Sequence, residues 1–303
     1  MSASAASPLA ALGPGSLAGY WRFQRAVAKA QLAAWLPASR RVLIDISGRY
    51  ASGSAQAAAC GHTVIRVVPA VPARRQAGGA GAGAAGGAGA GAAAGAGTAD
   101  RAGAADRAGA AGAAERAGAG GGAGKIVPVV ADPASLAFLA DGCADGVIAE
   151  DGALSRQLMT EDLAAEIVRV LRPGGELLVC VDSLVLGMAI LAEQHRWAHL
   201  TDLPHAEVVL IPWPDGTITR CFGAGQFRDL LTEAGLEVSW IKPRTVLSPS
   251  MVDHVLRHDP GSIARLVRAE LAAGQEGSPG HLPAESFGIS LLAAARKPPG
   301  QAP

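Results

Sequence analysis

Three acidic residues stand where a ligand or a reacting group could be held. Asp45 lies near the end of the apolar run at residues 41–46, and Glu150 and Asp151 follow the apolar run at residues 145–149. In open α/β sheets, ligands bind in the crevice at the carboxyl ends of the strands. Asp45 is therefore a candidate ligand contact, although it could instead cap the next helix. Glu150 and Asp151 are candidate ligand contacts and proton acceptors, and the alternative is that they are solvated loop charges.

Several familiar phosphate and nucleophile motifs are missing. Gly48 and Gly53 are spaced as in a phosphate-binding loop, but no Lys-Ser/Thr pair follows them. No GxGxxG sequence follows the first apolar run. The four cysteines are Cys60, Cys143, Cys180 and Cys221, with no CxxC pair and no histidine close by in sequence. The pattern therefore argues against a phosphate loop, a dinucleotide fingerprint, a zinc ribbon and a cysteine nucleophile.

Four residues near position 200 raise the question of a metal site: His195, His199, Asp202 and His205. Histidines four residues apart share one face of a helix, which is a common geometry for metal ligands. Pro204 and the predicted helix end near Leu200 break that spacing. We therefore predict no metal site and read these residues as helix-surface and cap residues.

The charge and hydropathy of the chain exclude other classes of function. The 303 residues contain 26 basic and 26 acidic side chains, which argues against an extended basic surface for nucleic acid. The longest apolar stretch, residues 184–192, is about half as long as a membrane span. The N-terminus shows no basic segment leading into an apolar run. Together with the scattered cysteines, these features predict a cytoplasmic protein that binds neither nucleic acid nor membranes.

Predicted strands alternate with predicted helices along most of the chain. Residues 172–175 (RPGG) are predicted to stop a helix and form a turn, and Thr160 is predicted to cap the helix that precedes them. The predicted strands are residues 41–46, 62–68, 125–130, 145–149, 176–181, 236–241 and 287–295, with a hairpin of residues 206–212 and 217–222. The predicted helices are residues 17–36, 51–59, 133–139, 160–171, 184–198, 226–234 and 250–272. This alternation is typical of a doubly wound α/β fold with a mostly parallel sheet and helices on both faces.

A long stretch of Ala and Gly interrupts this pattern at residues 77–124. It has no large apolar side chain, so it cannot bury enough surface to offset its loss of chain entropy. We predict a disordered insertion within one domain formed by residues 16–76 and 125–297. Residues 1–15 and 298–303 are predicted to be tails. A partner-binding spacer is the functional alternative for the insertion.

The order of these elements resembles the class I S-adenosylmethionine-dependent methyltransferases of the small-molecule type. The most specific match is VLRPGGELLV at residues 170–179, which in that family marks the turn into the fifth strand. A second match is FRDLLTEAGLEV at residues 227–238. The resemblance covers roughly residues 40–75 and 125–296. It implies a Rossmann-like methyltransferase fold with seven strands, S-adenosylmethionine as cofactor and a small-molecule methyl acceptor.

The resemblance also implies which residues hold the cofactor. In that family the first strand ends in an acid followed by a glycine-rich loop, and Asp45 matches the acid. Ser47, Arg49 and Ala51 stand at the three glycine positions, while Gly48 lies nearby but out of register. Asp132 matches the position that often contacts the adenine amino group, and Glu150 is a further cofactor contact. The implied cofactor contacts are Asp45, Ser47, Gly48, Arg49, Ala51, Asp132 and Glu150.

One expected cofactor contact is missing from the sequence. The family's second strand ends in a carboxylate that binds both ribose hydroxyls, and here Val68 or Pro69 takes that place. Hydrogen bonds to a charged group contribute about 1.5–3 kcal/mol each, so the loss predicts at least tenfold weaker binding. Two hypotheses follow. The chain is a methyltransferase for a small molecule, or it is a non-catalytic relative that binds a partner or another ligand.

Overall fold

A computed structural model describes residues 18–48, 52–69, 124–203, 206, 208–213, 216–273 and 288–300. The predicted tail at residues 1–15 and all but the last residue of the predicted insertion at residues 77–124 lie outside this part of the chain. The predicted boundaries of the domain are therefore still predictions. Among the helices that the structure describes, none combines the length and apolar character needed to cross a bilayer.

Strands and helices alternate through the described residues, as the sequence predicts. The strands are β1 (Val42–Asp45), β2 (Thr63–Val68), β3 (Lys125–Val130), β4 (Ala144–Ala149), β5 (Leu171–Asp182), β6 (Val209–Pro212), β7 (Ile218–Cys221), β8 (Glu237–Arg244) and β9 (Ser290–Arg296). The helices are α1 (Ala18–Trp35), α2 (Ser52–Ala59), α3 (Thr160–Val170), α4 (Leu184–Glu193), α5 (Trp197–Asp202), α6 (Ala224–Glu233), α7 (Pro249–His258) and α8 (Ile263–Ala273). A short 3₁₀ turn, Pro260–Ser262, joins α7 to α8.

Seven of these strands form one sheet in the order β3-β2-β1-β4-β5-β9-β8. The five strands from β3 to β5 are parallel, whereas β9 is antiparallel to both of its neighbours. The strand order reverses between β1 and β4, and a crevice opens at the carboxyl edge of such a sheet at this point. The doubly wound, mostly parallel fold with seven strands is confirmed. The predicted hairpin is also confirmed, as a separate two-stranded sheet of β6 and β7.

Alternate residues of the strands bury opposite faces of the sheet. On one face, Ile44 joins a cluster with Leu163 and Ile167 of α3 and Phe227 of α6. On the other face, Leu43 packs in a cluster that also contains Leu32 of α1 and Ala57 of α2. The sheet is thus covered by helices on both sides, and its carboxyl edge is the part left to form a site.

Two smaller clusters adjoin this central core. One is formed by α1, α7 and α8, with Tyr20, Phe23, Val27, Val252 and Leu256 buried in it. The second is formed by α4, α5 and the β6–β7 hairpin, with Ile190, Leu191, Leu203, Val209, Ile211 and Cys221 buried in it. Helix α7 follows β8 and helix α4 follows β5, so each cluster includes a helix that comes after the carboxyl end of a strand. Both clusters therefore lie near the edge of the sheet at which the crevice is expected.

The short helix predicted at residues 133–139 is wrong. The segment forms two consecutive turns, in which Ser135 N donates to Asp132 O and Leu139 N donates to Leu136 O. The Asp132 side chain accepts a hydrogen bond from Ala134 N at 2.9 Å. A short acidic side chain that bonds its own following backbone favours a turn over a helix. Leu136 is fully buried. Burial of this one apolar side chain anchors the segment to the core, so the apolar face of a helix is not needed.

The predicted turn at residues 172–175 is also wrong, because these residues belong to β5. Leu171 pairs with Ala144, and pairing with β4 resumes only at Glu176 opposite Gly146. The intervening residues form a bulge, in which Gly174 adopts a φ of +78°. A bulge accommodates extra residues in one strand without ending it. The strand therefore begins five residues earlier than the sequence predicts.

Two other predictions around helices need correction. The N-cap of α3 is Met159, and Thr160 is the first helical residue, with its hydroxyl donating to Gln157 O at 2.8 Å. The helix predicted at residues 184–198 is two helices, because α4 ends at Glu193 and α5 begins at Trp197. His195, between them, adopts a φ of +59°, which no helix continues through.

Candidate functional site

A cavity of about 280 Å³ lies at the carboxyl edge of the sheet, where the strand order reverses. Residues that follow four neighbouring strands, β1, β2, β3 and β4, line it. They are Ile46, Ser47, Gly48, Pro69, Pro133, Asp151, Ala153, Arg156 and Gln157. The walls combine apolar side chains with a few polar groups, which is the usual composition of a small-molecule site.

Asp45 does not line the cavity but holds the loop that does. Its side chain is buried, and its carboxylate accepts hydrogen bonds from the Ser54 hydroxyl and from Ser47 N, the latter at 3.0 Å. The Ser47 hydroxyl in turn accepts a hydrogen bond from Glu150 N at 2.9 Å. These bonds tie the end of β1 to the start of α2 and to the end of β4. Asp45 therefore bonds a side chain in the first turn of α2 and positions the loop at the cavity, and its role as a ligand contact stays a prediction.

Gly48 supplies an opening in the wall of the cavity. Its φ is +91°, and the Cβ that another residue would carry there meets only Arg156 Nη2 within 4 Å, at 3.9 Å. A residue without a side chain adopts this backbone conformation without strain and lets a ligand approach the main chain. Gly48, although out of register with the family's glycine positions, therefore has the backbone conformation expected of a glycine in this loop, whereas Ser47 stands at one of those positions.

Glu150 is held by a buried ion pair. Its two carboxylate oxygens accept hydrogen bonds from Arg244 at 3.0 and 3.2 Å. Arg244 is only 4% exposed and also donates to Gln31 Oε1 at 2.6 Å. This arrangement joins the end of β4, the end of β8 and helix α1. Because both carboxylate oxygens are engaged by Arg244, the geometry favours a positioning role for Glu150.

Two other carboxylates have raised pKa values. Burial raises the pKa of Asp151 to about 6, and Glu150 and Asp45 act in the same direction. Burial likewise raises the pKa of Asp182, at the end of β5, to about 6. The Asp182 oxygens lie 3.6 and 3.7 Å from the position that a Cβ on Gly152 would occupy. Both acids therefore lose their protons near neutral pH, which is the range in which a carboxylate works as a proton acceptor.

The sequence-predicted site residues fall into three groups. Asp45, Ser47, Gly48, Glu150 and Asp151 are brought together at the cavity or directly behind it. Asp132 is exposed and is engaged in its own turn, although the next residue, Pro133, lines the cavity. Arg49 and Ala51 lie outside the described residues. The described residues contain no group of three or more His, Cys, Asp or Glu side chains that could hold a metal ion.

Sequence reasoning missed one residue that lines the cavity, Arg156, and two that lie close behind it, Asp182 and Arg244. Asp182 is an acid at the end of a predicted strand, so the signal that identified Asp45 was present there too. Arg156 lies in the loop after β4, and the hydrophobic periodicity of the sequence does not identify loop residues as part of a site. Arg244 was outside the predicted sixth strand, which the structure extends by three residues.

The raised pKa of Asp182 leads to a prediction about how the free energy of unfolding depends on pH. The unfolded chain loses this proton near pH 4 and the folded chain near pH 6. The folded state therefore loses stability as the pH rises through this window, and the loss persists above it. Asp182→Asn removes that cost, so we expect it to raise the free energy of unfolding by about 1–2 kcal/mol at pH 8. The gain should disappear at pH 4. Chemical unfolding of both proteins at the two pH values measures it, and an equal gain at both would contradict the assignment.

Comparisons with known proteins identify the fold. The chain matches no protein-family model and no curated protein. Among solved structures, it is similar to a Listeria monocytogenes protein assigned to the S-adenosylmethionine-dependent methyltransferases, with a TM-score of 0.50 and 11% identity over 91% of this chain and 99% of that chain. It also matches 1,6-didemethyltoxoflavin-N1-methyltransferase from Burkholderia thailandensis, with a TM-score of 0.47 and 16% identity over 98% and 92% of the two chains. The first likeness shows a shared fold, that of the S-adenosylmethionine-dependent methyltransferases.

Proposed function

We propose that this chain, which has a methyltransferase fold, binds S-adenosylmethionine in the cavity and transfers its methyl group to a small molecule. The observation that carries the proposal is the position of the cavity. It lies at the carboxyl ends of β1 to β4, beside the point where the strand order reverses, which is the ligand position of doubly wound sheets. The VLRPGGELLV segment supports the same family from the sequence.

The residues present fit the cofactor at three places. Gly48 leaves room for a ligand against the main chain, and Asp45 and Ser47 hold that loop in position. Pro133 and Ala153 offer apolar surface for a flat ring. Asp132, beside Pro133, is the proposed contact of the adenine amino group. Ser47, Arg49, Ala51 and Glu150 complete the proposed set of cofactor-binding residues.

S-adenosylmethionine supplies a methyl group already activated on a sulfonium, so the protein's main task is alignment and exclusion of water. Asp151, with its pKa near 6, takes the proton that the acceptor loses. Glu150 holds Arg244 and takes no proton in this scheme.

A second function has its own support. Ser47 replaces a glycine of the family's loop, and no carboxylate ends β2, where Pro69 faces the cavity. Both changes weaken the contacts expected for the cofactor. They favour a non-catalytic protein with the methyltransferase fold that binds a partner or another ligand, and fold alone does not decide between the two.

Calorimetric titration separates these functions. We expect S-adenosylmethionine and S-adenosylhomocysteine to release or absorb heat on binding and to raise the melting temperature of the protein. The absence of both effects at millimolar ligand would contradict the first proposal. Binding of both compounds without methyl transfer to any of a panel of amines, phenols and carboxylic acids would favour the second.

Arg49 provides a prediction within the first proposal. The residue lies outside the described part of the chain, at the second glycine position of the resemblance. If its guanidinium contacts the methionyl carboxylate, Arg49→Gly is expected to weaken S-adenosylmethionine binding about tenfold. Titration of the variant measures the change, with Arg40→Gly, in the loop that precedes β1, as the control. A higher affinity would show that the arginine obstructs the site, and that result would favour the non-catalytic function.

A further inference from the structure

A residue with a strained backbone follows each member of the Glu150–Arg244 ion pair. Asp151, after Glu150, has a φ of +54°, and Thr245, after Arg244, has a φ of +66°. Within the part of the chain that the structure describes, only His195 joins them as a residue other than glycine with a positive φ. This conformation is rare for a β-branched residue such as Thr245. Strained residues persist only where the surrounding structure holds them, and they concentrate at functional sites.

The side chain of Glu270, on α8, holds the backbone that follows Thr245. Its two carboxylate oxygens accept hydrogen bonds from Val246 N at 2.8 Å and from Leu247 N at 3.0 Å. Glu270 is only 2% exposed, and Thr245 is 6% exposed. Hydrogen bonds to a carboxylate are stronger than those between neutral groups. Glu270 therefore fixes the conformation in which the chain leaves β8.

This conformation determines where the Arg244 side chain points. Arg244 is the last residue of β8, and its guanidinium bonds both oxygens of Glu150. Glu150 N in turn donates to the hydroxyl of Ser47, which lines the cavity. Asp151 lines the cavity as well; burial raises its pKa, and Arg156 and Arg244 oppose that rise. A continuous series of contacts therefore joins α8 to the wall of the cavity.

We propose that Glu270 is a positioning residue for the cavity, because it holds Thr245 in its strained conformation and so directs Arg244 towards Glu150. The proposed function uses no residue of α8. Glu270 is not among the residues that line the cavity, so its effect on a ligand passes through Arg244. Without the carboxylate, Thr245 can return to a negative φ, and the guanidinium then moves away from Glu150.

Hydrogen exchange of the Arg244 Nε–H proton tests the proposal without a ligand. This proton is donated to Gln31 Oε1 at 2.6 Å, so it should exchange slowly with water in the wild-type chain. We expect Glu270→Gln to accelerate the exchange about tenfold, because glutamine replaces one acceptor oxygen by an NH₂ donor. NMR well below the melting temperature measures the rate, and Arg244→Lys identifies the signal. An unchanged rate in the folded variant would overturn the proposal.

Thr245→Gly separates positioning from a purely structural role. Glycine adopts a positive φ without strain, so the end of β8 should then depend less on Glu270. In the Thr245→Gly background we expect Glu270→Gln to accelerate the exchange by less than about threefold. If Glu270 only stabilises the packing of α8, the acceleration will be equal in both backgrounds, and that outcome would contradict the proposal.

Two further variants complete this experiment. Glu237→Gln is the matched control, because Glu237 is an exposed glutamate at the opposite end of β8, and it should leave the exchange rate unchanged. Circular dichroism establishes that each variant is folded. If Glu270→Gln does not fold, Glu270→Asp takes its place, since it keeps the charge but shortens the reach of the carboxylate, and the same acceleration is expected.

Titration with S-adenosylhomocysteine adds a measurement that rests on the proposed function. If this compound binds the wild-type chain, Glu270→Gln should weaken its binding about tenfold, and adding Thr245→Gly should restore most of the affinity. If it does not bind the wild-type chain, the methyltransferase proposal fails, and the exchange rates still decide the role of Glu270. If it binds the wild-type chain and Glu270→Gln equally well, the proposed function stands and the positioning role of Glu270 is wrong.

Discussion

Arg244→Met is expected to lower the free energy of unfolding by about 3–5 kcal/mol, because it leaves the partly buried Glu150 carboxylate without its partner. The guanidinium bonds both oxygens of Glu150 and also the Gln31 side chain. Removing one member of a buried ion pair destabilises the fold by more than the intact pair stabilises it, because the remaining charge stays buried, away from water and without a partner. Urea unfolding at pH 7.5 measures the loss.

Two further variants test this explanation. Arg265→Met breaks an exposed pair with Asp259 and should change the unfolding free energy by less than about 0.5 kcal/mol. Combining Arg244→Met with Glu150→Gln removes the stranded charge, so this double variant should regain part of the lost stability. If the double variant is as unstable as the sum of the single variants, the loss comes from packing rather than from charge.

Asp45→Ala is expected to weaken ligand binding at the cavity at least tenfold while the fold persists. The carboxylate fixes Ser47 N and the Ser54 hydroxyl, and hydrogen bonds to a charged acceptor contribute about 1.5–3 kcal/mol each. Without it the loop of Ser47 and Gly48 loses its fixed position against the cavity. Titration with S-adenosylhomocysteine measures the effect.

The control for this variant is Asp141→Ala, which removes an exposed carboxylate paired with Arg169 at the opposite end of β4. It should leave ligand affinity unchanged. Far-ultraviolet circular dichroism of Asp45→Ala establishes that its secondary structure is retained. Unchanged affinity in a folded Asp45→Ala protein would show that the carboxylate only caps α2 and that the binding site lies elsewhere.

The succession of strands and helices follows from information that is local in the sequence. Short apolar runs alternate with helical periodicity, and each run became a strand of the central sheet or of the hairpin. The errors arose where a local rule was overridden. At residues 133–139 the Asp132 side chain bonds the following backbone and forms a turn. At residues 172–175 the pairing of Leu171 with Ala144 continues the strand across two glycines, and no local pattern reveals that partner.

The candidate site was predictable only in part, for a related reason. Asp45, Glu150 and Asp151 were found because the ends of strands are visible in the sequence. The ion pair of Glu150 with Arg244 joins residues 94 positions apart, and the bond from Arg244 to Gln31 spans 213 positions. Such partners are determined by the tertiary fold alone. The sequence therefore could not show that both oxygens of Glu150, a candidate base and cofactor contact, are engaged by Arg244.

The location of β9 has a consequence for how the chain is made. This strand lies between β5 and β8 and pairs with both, yet the ribosome synthesises it after them. Until it emerges, β5 and β8 each present an edge of unpaired backbone groups, and such edges readily pair with other chains. The sheet can therefore close only after translation has passed residue 296. We therefore expect the nascent chain to expose these two edges until residue 296 has emerged, although its βα units form earlier.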